Sequence, residues 1–162
     1  MSIFVKREGI TGECSDSNHS GWMDILTLQW DVSRKITSST STRGDRESSN
    51  AIIGDLVIVR RMDKATPKLF IESCCGTGKD IEIHLTKTGQ GNGSDVFMSY
   101  TLRNAIISGY RVKAHKEDLN RPNEEIRISF TAIETRYTAY DEDGIAQAPI
   151  AVGFDTKTNM KA

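Results

Sequence analysis

The sequence predicts a mainly β protein, an antiparallel β-barrel or sandwich with one short α-helix at about residues 64–75 and a long polar loop at about 36–50. Three observations carry that expectation. Short apolar stretches alternate with a period of two, Gly, Asn, Asp and Ser separate them, and a single segment carries the punctuation of a helix. At 162 residues the chain has the length of one domain, which folds with roughly two-thirds of its unfolded surface buried. One domain over 1–158 is expected, followed by a short tail at 159–162.

Ile3 and Val5 open a first short strand. In the second, Leu26, Leu28, Trp30 and Val32 share one face, expected to meet the core, while Thr27, Gln29 and Asp31 share the other. Further strand patterns cover 52–62, 81–88, 96–103, 106–113 and 126–140. In the last of these Ile126, Ile128 and Phe130 keep one parity and Ile133, Thr135 and Tyr137 the opposite one, so a bulge near Ala132 is expected. The cluster Gln90-Gly91-Asn92-Gly93-Ser94 reads as a hairpin connection.

The helix segment starts at Asp63-Lys64-Ala65-Thr66-Pro67, with a residue able to cap and a proline suited to a first turn. Gly76 ends it, where a left-handed residue is expected, and Ala65, Leu69 and Phe70 form the stripe that should face the sheet. Residues 36–50 hold almost no apolar side chain after Ile36; a structureless loop of that length is usually functional or disordered, and ordering on a partner is expected.

Lys and Arg total 21 and Asp and Glu 22, a net charge of -1 that gives no broad field for nucleic acid or an anionic membrane. The first eight residues lack the apolar core of a signal peptide, and no apolar run has the length of a membrane span, so folding in the cytosol without membrane insertion is expected. Cys14, Cys74 and Cys75 are three in number, two of them adjacent, which suits reduced thiols, with Cys74 read as a small buried hydrophobe.

The enzyme-like signals fail on spacing. Gly76-Thr77-Gly78-Lys79-Asp80 lacks two positions of a phosphate-binding loop, with Ser73 where Gly is needed and Asp80 where Ser or Thr is needed. Asp141-Glu142-Asp143-Gly144 would place a calcium loop's closing ligand on Ile150. His19, His84 and His115 have no metal-ligand spacing, and no G-x-S-x-G elbow presents a nucleophile. No metal, cofactor or catalytic residue is assigned.

What remains is the order of motifs. Gly9-Ile10-Thr11-Gly12-Glu13-Cys14-Ser15-Asp16, with His19, Trp22, Asp24-Ile25-Leu26 and Trp30 behind it, resembles the opening of the Hcp family, the tube protein of bacterial type VI secretion systems. Asp63-Lys64-Ala65-Thr66-Pro67-Lys68-Leu69 is similar to the family's helix motif. Tyr100 to Tyr110 and Glu125 to Tyr137 resemble its later strands, so the likeness runs in order over nearly the whole chain.

The resemblance implies small β-barrel subunits that assemble as homohexameric rings, stack into a hollow tube and are driven out of the cell by a contractile sheath behind a spike, on a baseplate, with small effectors in the lumen. It implies a structural protein and no enzyme, assembled in the bacterial cytoplasm and then secreted without a signal peptide. Thr42, Arg43, Asp45, Arg46 and Glu47 then fall in the loop that joins rings, and Thr27, Gln29 and Asp31 on the lumen face. Gly12, Glu13, Asp16, His19, Trp30, Asp63, Lys64 and Pro67 carry the family's motifs as structural residues. Two other readings stay open at this point, an adhesin or toxin acting through Arg43-Gly44-Asp45 and a small hydrolase on a β scaffold.

Overall fold

The computed structural model describes residues 1–38, 46–89 and 93–162, with the side chains of 38 and 46–48 outside that description. In chain order the elements are β1 (Ser2–Arg7), β2 (Met23–Ile25), β3 (Thr27–Gln29), β4 (Val32–Ser33), β5 (Ile36–Ser38), β6 (Arg46–Ser48), β7 (Ile52–Ile53) and β8 (Leu56–Arg61). After them come α1 (Thr66–Cys75), β9 (Lys79–Thr88), β10 (Ser94–Lys113), β11 (Asn123–Ser129), β12 (Ala132–Tyr137), β13 (Ile150–Asp155) and β14 (Met160–Lys161).

Ten of these strands form one antiparallel sheet that doubles back on itself. Its first half runs β2, β1, β9, β10, β12, β13, β14; its second runs β10, β11, β8, β3. The 20-residue β10 belongs to both, pairing with β9 and β12 up to Ala105 and with β11 from Ile106 onward. The two strands expected at 96–103 and 106–113 are thus one strand that turns at Asn104, a non-glycine residue with φ 50°. Asn is one of the few side chains that tolerates that left-handed backbone. The ladders do not close into a barrel, so of the two expected architectures the sandwich is the one formed.

The same change of sheet explains two parity shifts. Met23 and Ile25 are buried on β2, which pairs with β1; the chain then bends at Leu26 and continues as β3, which pairs with β8. Leu26 donates its N–H to Val59 O at 2.8 Å and leaves its side chain 41% exposed, so the expected stripe loses Leu26 and gains Met23 and Ile25. Val32 is also exposed, because β4 pairs only with β7 beyond the core. Likewise 126–140 is not one bulged strand but β11 and β12, in different halves, separated at Phe130-Thr131.

The core between the halves holds Ile3, Val5, Met23, Ile25, Leu56, Ile58, Ile81, Ile83, Leu102, Ile126, Ile128 and Ile133, with Leu69 of α1 and Ala65 at its N-cap against it. Each such aliphatic side chain contributes about 1.5–3 kcal/mol on burial. Phe70, placed in the same stripe by the sequence, is 54% exposed and lies beside the Tyr110 ring instead. Cys74 and Cys75 are exposed rather than buried, on the outer side of a last turn that Glu72 ties to the buried Arg7 of β1 at 3.0 Å.

Gly76 is extended, with φ -69° and ψ 158°, so its need for glycine is not left-handed backbone. It is close approach: a Cβ there would lie 2.5 Å from Glu72 O, which already accepts the Gly76 N–H at 2.9 Å. The 36–50 segment is not structureless at its flanks. Ile36, Thr37 and Ser38 of β5 pair with Ser48, Glu47 and Arg46 of β6 as a separate two-stranded ribbon. At the C-terminus, where a tail was expected, Met160 and Lys161 pair with Asp155 and Phe154.

Candidate functional site

The loop between β1 and β2 is a plug. Gly12 donates its N–H to Gly21 O at 2.8 Å, and a Cβ on Gly12 would lie 2.4 Å from Trp22 O, so only glycine lets the loop's two arms meet. The loop delivers His19, 1% exposed, onto Phe4, with ring centroids 4.4 Å apart and an angle of 20° between planes. Phe4 points to the outer side of β1, and this stacking is what buries it.

Asp16 receives the His19 ring at 2.9 Å, the Asn18 N–H at 3.0 Å and the Ser94 hydroxyl at 3.1 Å. The bond from His19 above all holds its carboxyl below the usual range. On its other side His19 Nε2 meets His84 Nδ1 at 2.9 Å, and His84 Nε2 meets Glu82 at 2.8 Å. Burial pushes the His84 pKa down, and Glu82 offsets part of that. Both ring nitrogens of His19 are engaged and the Ser94 hydroxyl serves the carboxylate rather than a histidine, so Asp16 and His19 do packing work. Glu13 lies at the rim, its N–H on Asp63 at 3.2 Å and its carboxylate on Arg121 at 3.1 Å. No group of three or more metal-ligating side chains occurs among the described residues.

Asp63 makes the turn that leads into α1, accepting the Ala65 N–H at 2.7 Å while its own N–H goes to the Thr66 hydroxyl at 3.1 Å; the N-cap position itself falls on Ala65, which offers no side-chain cap, and Pro67 follows in the first turn, where no N–H is missed. Lys64 is exposed. The second oxygen of Asp63 holds the buried Arg60 guanidinium at 2.6 Å. Arg60 also pairs with Glu124, which is fully buried and takes the Tyr110 hydroxyl at 2.6 Å and the Thr66 hydroxyl at 3.1 Å. Burial, followed by Glu124, pushes the Tyr110 phenol well above its ordinary value. Tyr110 closes a stretch already matched to the family, whereas Arg60 and Glu124 escape motif reading, yet their parity marks them: Arg60 shares a face with Leu56 and Ile58, and Glu124 with Ile126 and Ile128.

Thr27, Gln29 and Asp31 all come out exposed. Register places Val59 and then Glu125 across from Thr27, and Val57 and then Arg127 across from Gln29. Glu125 sits between Arg127 at 3.2 Å and Arg111 at 3.9 Å, and Asp55 accepts the Ser108 hydroxyl at 2.7 Å. The result is a shallow, polar, nearly charge-paired sheet face.

A contrasting surface lies at the margin of the first half-sheet. Trp30, packed on Tyr100 with centroids 5.6 Å apart, forms one wall of a groove with Val32 and Ile53; Ile133, Val152 and Phe154 form the other. Val152 is 66% exposed, and Ile150 beside it, across from Tyr137, is exposed as well. This is the core-facing side of β12 and β13 carried on past the point where the second half-sheet covers it.

Thr42, Arg43 and Asp45 lie outside the described residues, and so do the side chains of Arg46 and Glu47, whose backbone belongs to β6.

Comparison with known proteins locates this architecture. Among proteins with curated descriptions none matches by sequence. Solved structures match over their full length: "Structure of a type six secretion system protein" at TM-score 0.91, with 23% identity and 99% of both chains covered. Hcp1 from Salmonella typhimurium matches at TM-score 0.77, with 20% identity over 99% of this chain and 98% of that one. A type VI secretion system effector from Yersinia pestis matches at TM-score 0.72, with 26% identity over 94% and 98%. The family pattern described as "Type VI secretion system effector, Hcp" covers residues 4–137, from the strand under the His19 plug to the last residue of β12. Five-sixths of the chain falls within that pattern, and the chain therefore belongs to the Hcp family, a family of structural tube proteins and not of enzymes.

Proposed function

We propose that this chain is a subunit of a type VI secretion inner tube, a homohexameric ring former whose rings stack and carry small effectors. The observation that supports self-assembly most directly is the groove that the described residues leave uncovered between Trp30, Val32 and Ile53 on one side and Ile133, Val152 and Phe154 on the other. Apolar side chains gathered along one margin, with Val32, Ile150 and Val152 more than half exposed, are suited to being covered by a protein partner. Its occupant is a second copy of this chain, because a closed ring repeats one heterologous contact and needs an apolar surface on every subunit. Among the groove's lining residues none is charged, as suits the central part of a permanent interface.

On this reading the polar face of Thr27, Gln29 and Asp31 looks into the lumen, where the paired Glu125, Arg127 and Arg111 leave little net field to hold cargo of one sign. The ribbon that β5 and β6 begin, with Thr42, Arg43, Asp45, Arg46 and Glu47 in its span, reaches the neighbouring ring. Sheath, spike and baseplate are the remaining partners, and secretion follows assembly in the cytoplasm. Among the described residues no helix is long and apolar enough to cross a membrane.

Light scattering on size-fractionated protein, followed by negative-stain imaging, tests the proposal. Rings with a central hole are expected; a strict monomer at every concentration contradicts it. Cys substituted at Gln29 should react with small thiol reagents and resist bulky ones in assembled tubes, and equal labelling by both in the tube removes Gln29 from the lumen.

A further inference from the structure

The chain Asp16, His19, His84, Glu82 contains three contacts of 2.9, 2.9 and 2.8 Å. Each contact needs one proton. Two ionised carboxylates supply none and two neutral imidazoles supply one each, so the chain is one proton short unless a histidine is charged. Asp16 is fixed as an acceptor by Asn18 and Ser94, which puts the His19 proton on Nδ1. The next contact, between the two rings, is covered by Trp22, tilted over His84 with centroids 4.6 Å apart. Two facing lone pairs there would have no water to separate them, so the second proton belongs on His84 Nδ1. The contact left without a proton in the neutral pair is the outermost one, to Glu82, whose side chain is 47% exposed.

Glu82 has another partner within reach. It stands directly across the β1–β9 ladder from Lys6, whose ammonium lies 5.7 Å from the Trp22 ring centre. We propose that Glu82 is a proton-gated side chain: it grips His84 when the histidine pair takes up one proton, and turns to Lys6 when the pair is neutral. The groups that face His84 are accounted for on every element around it, with Lys6 on β1, Asp16 and His19 on the loop, Glu82 on β9 and uncharged Ser99 across the ladder on β10. The gate therefore rearranges charge on the outer side of the first half-sheet, where Lys6, Glu8, Lys79, Asp80, Glu82 and Arg103 cluster. It does not depend on the tube reading.

The sign follows from burial. The folded protein binds the His84 proton less tightly than the unfolded chain does, so its uptake costs stability as the pH falls below about 6.5. The bond gained from Glu82 offsets part of that cost.

Nitrogen-15 NMR of the histidines across a pH titration of the whole protein decides the matter. At alkaline pH both rings should show the Nδ1–H form, and His84 Nε2 should acquire its proton only on acidification. Glu82→Gln should move the His84 midpoint to lower pH, and Lys6→Met should move it to higher pH by removing both a cation and the rival partner. An Nε2–H form of His84 at alkaline pH, or a midpoint that Glu82→Gln leaves in place, overturns the proposal.

Discussion

The margin of the core beneath α1 and the margin between Trp30 and Val152 solve the same problem in opposite ways. Both are places where the two half-sheets diverge and apolar side chains lose their cover. Under α1 the gap is closed from within: Ala65 and Leu69 seal it, and the buried set of Arg60, Asp63, Glu124, Tyr110 and Thr66 fixes the helix to the second half-sheet. At the other margin no element of the described chain fills the gap between the wall of Trp30, Val32 and Ile53 and that of Ile133, Val152 and Phe154, and beyond the buried Ile133 the side chains of Tyr137, Ile150 and Val152 stay exposed. One margin is built to hold the subunit together; the other is suited to join subunits.

That contrast can be broken at its strongest point first. Glu124→Leu removes the partner of a buried guanidinium and of two hydroxyls, and should cost about 3–5 kcal/mol of unfolding free energy, read from urea denaturation. Leu69→Ala empties the seal between α1 and the sheet and should cost about 3 kcal/mol. Tyr110→Phe leaves one Glu124 oxygen without its donor and should cost about 1–3 kcal/mol, with α1 retained by circular dichroism. At the open margin Val152→Glu should change monomer stability by no more than about 0.5 kcal/mol, since the side chain is exposed, while abolishing assembly. If Val152→Glu unfolds the subunit as Glu124→Leu does, the two margins are not different in kind.

How much of this was legible in the sequence depended on whether the signal was local. Alternation marked the strands, and Asp63 with Pro67 marked the start of α1, because turn chemistry and capping act within a few residues. The changes of half-sheet at Leu26, Asn104 and Thr131 were not legible as such: each alters which strand is the neighbour, and pairing over long separations leaves only a parity shift behind. At 126–140 that shift was visible and read as a bulge, which gives the same parity change without a change of partner. At Leu26 the even parity of Leu28 and Trp30 continues unbroken in the sequence and masks the odd parity on which Met23 and Ile25 are buried.

For the site, Asp16 and His19 looked catalytic by composition, and only their partners show otherwise. His84 and Glu82 are 65 and 63 residues away from His19 in sequence, and no spacing rule connects them. Arg60 and Glu124 were legible in principle, as charges on the apolar parity of their strands. Phe70 illustrates the reverse error, since helix periodicity gives a stripe but not its width, and of that stripe Ala65 and Leu69 are buried while Phe70 is not.

The central claim is that the open groove belongs to a second copy of the chain. Mass by light scattering, measured on the wild type and on Val152→Glu at equal concentration with urea unfolding of both as the control for folding, tests it most directly. A ring-sized wild type and a folded, monomeric variant are predicted; rings that persist unchanged in the folded variant would contradict it.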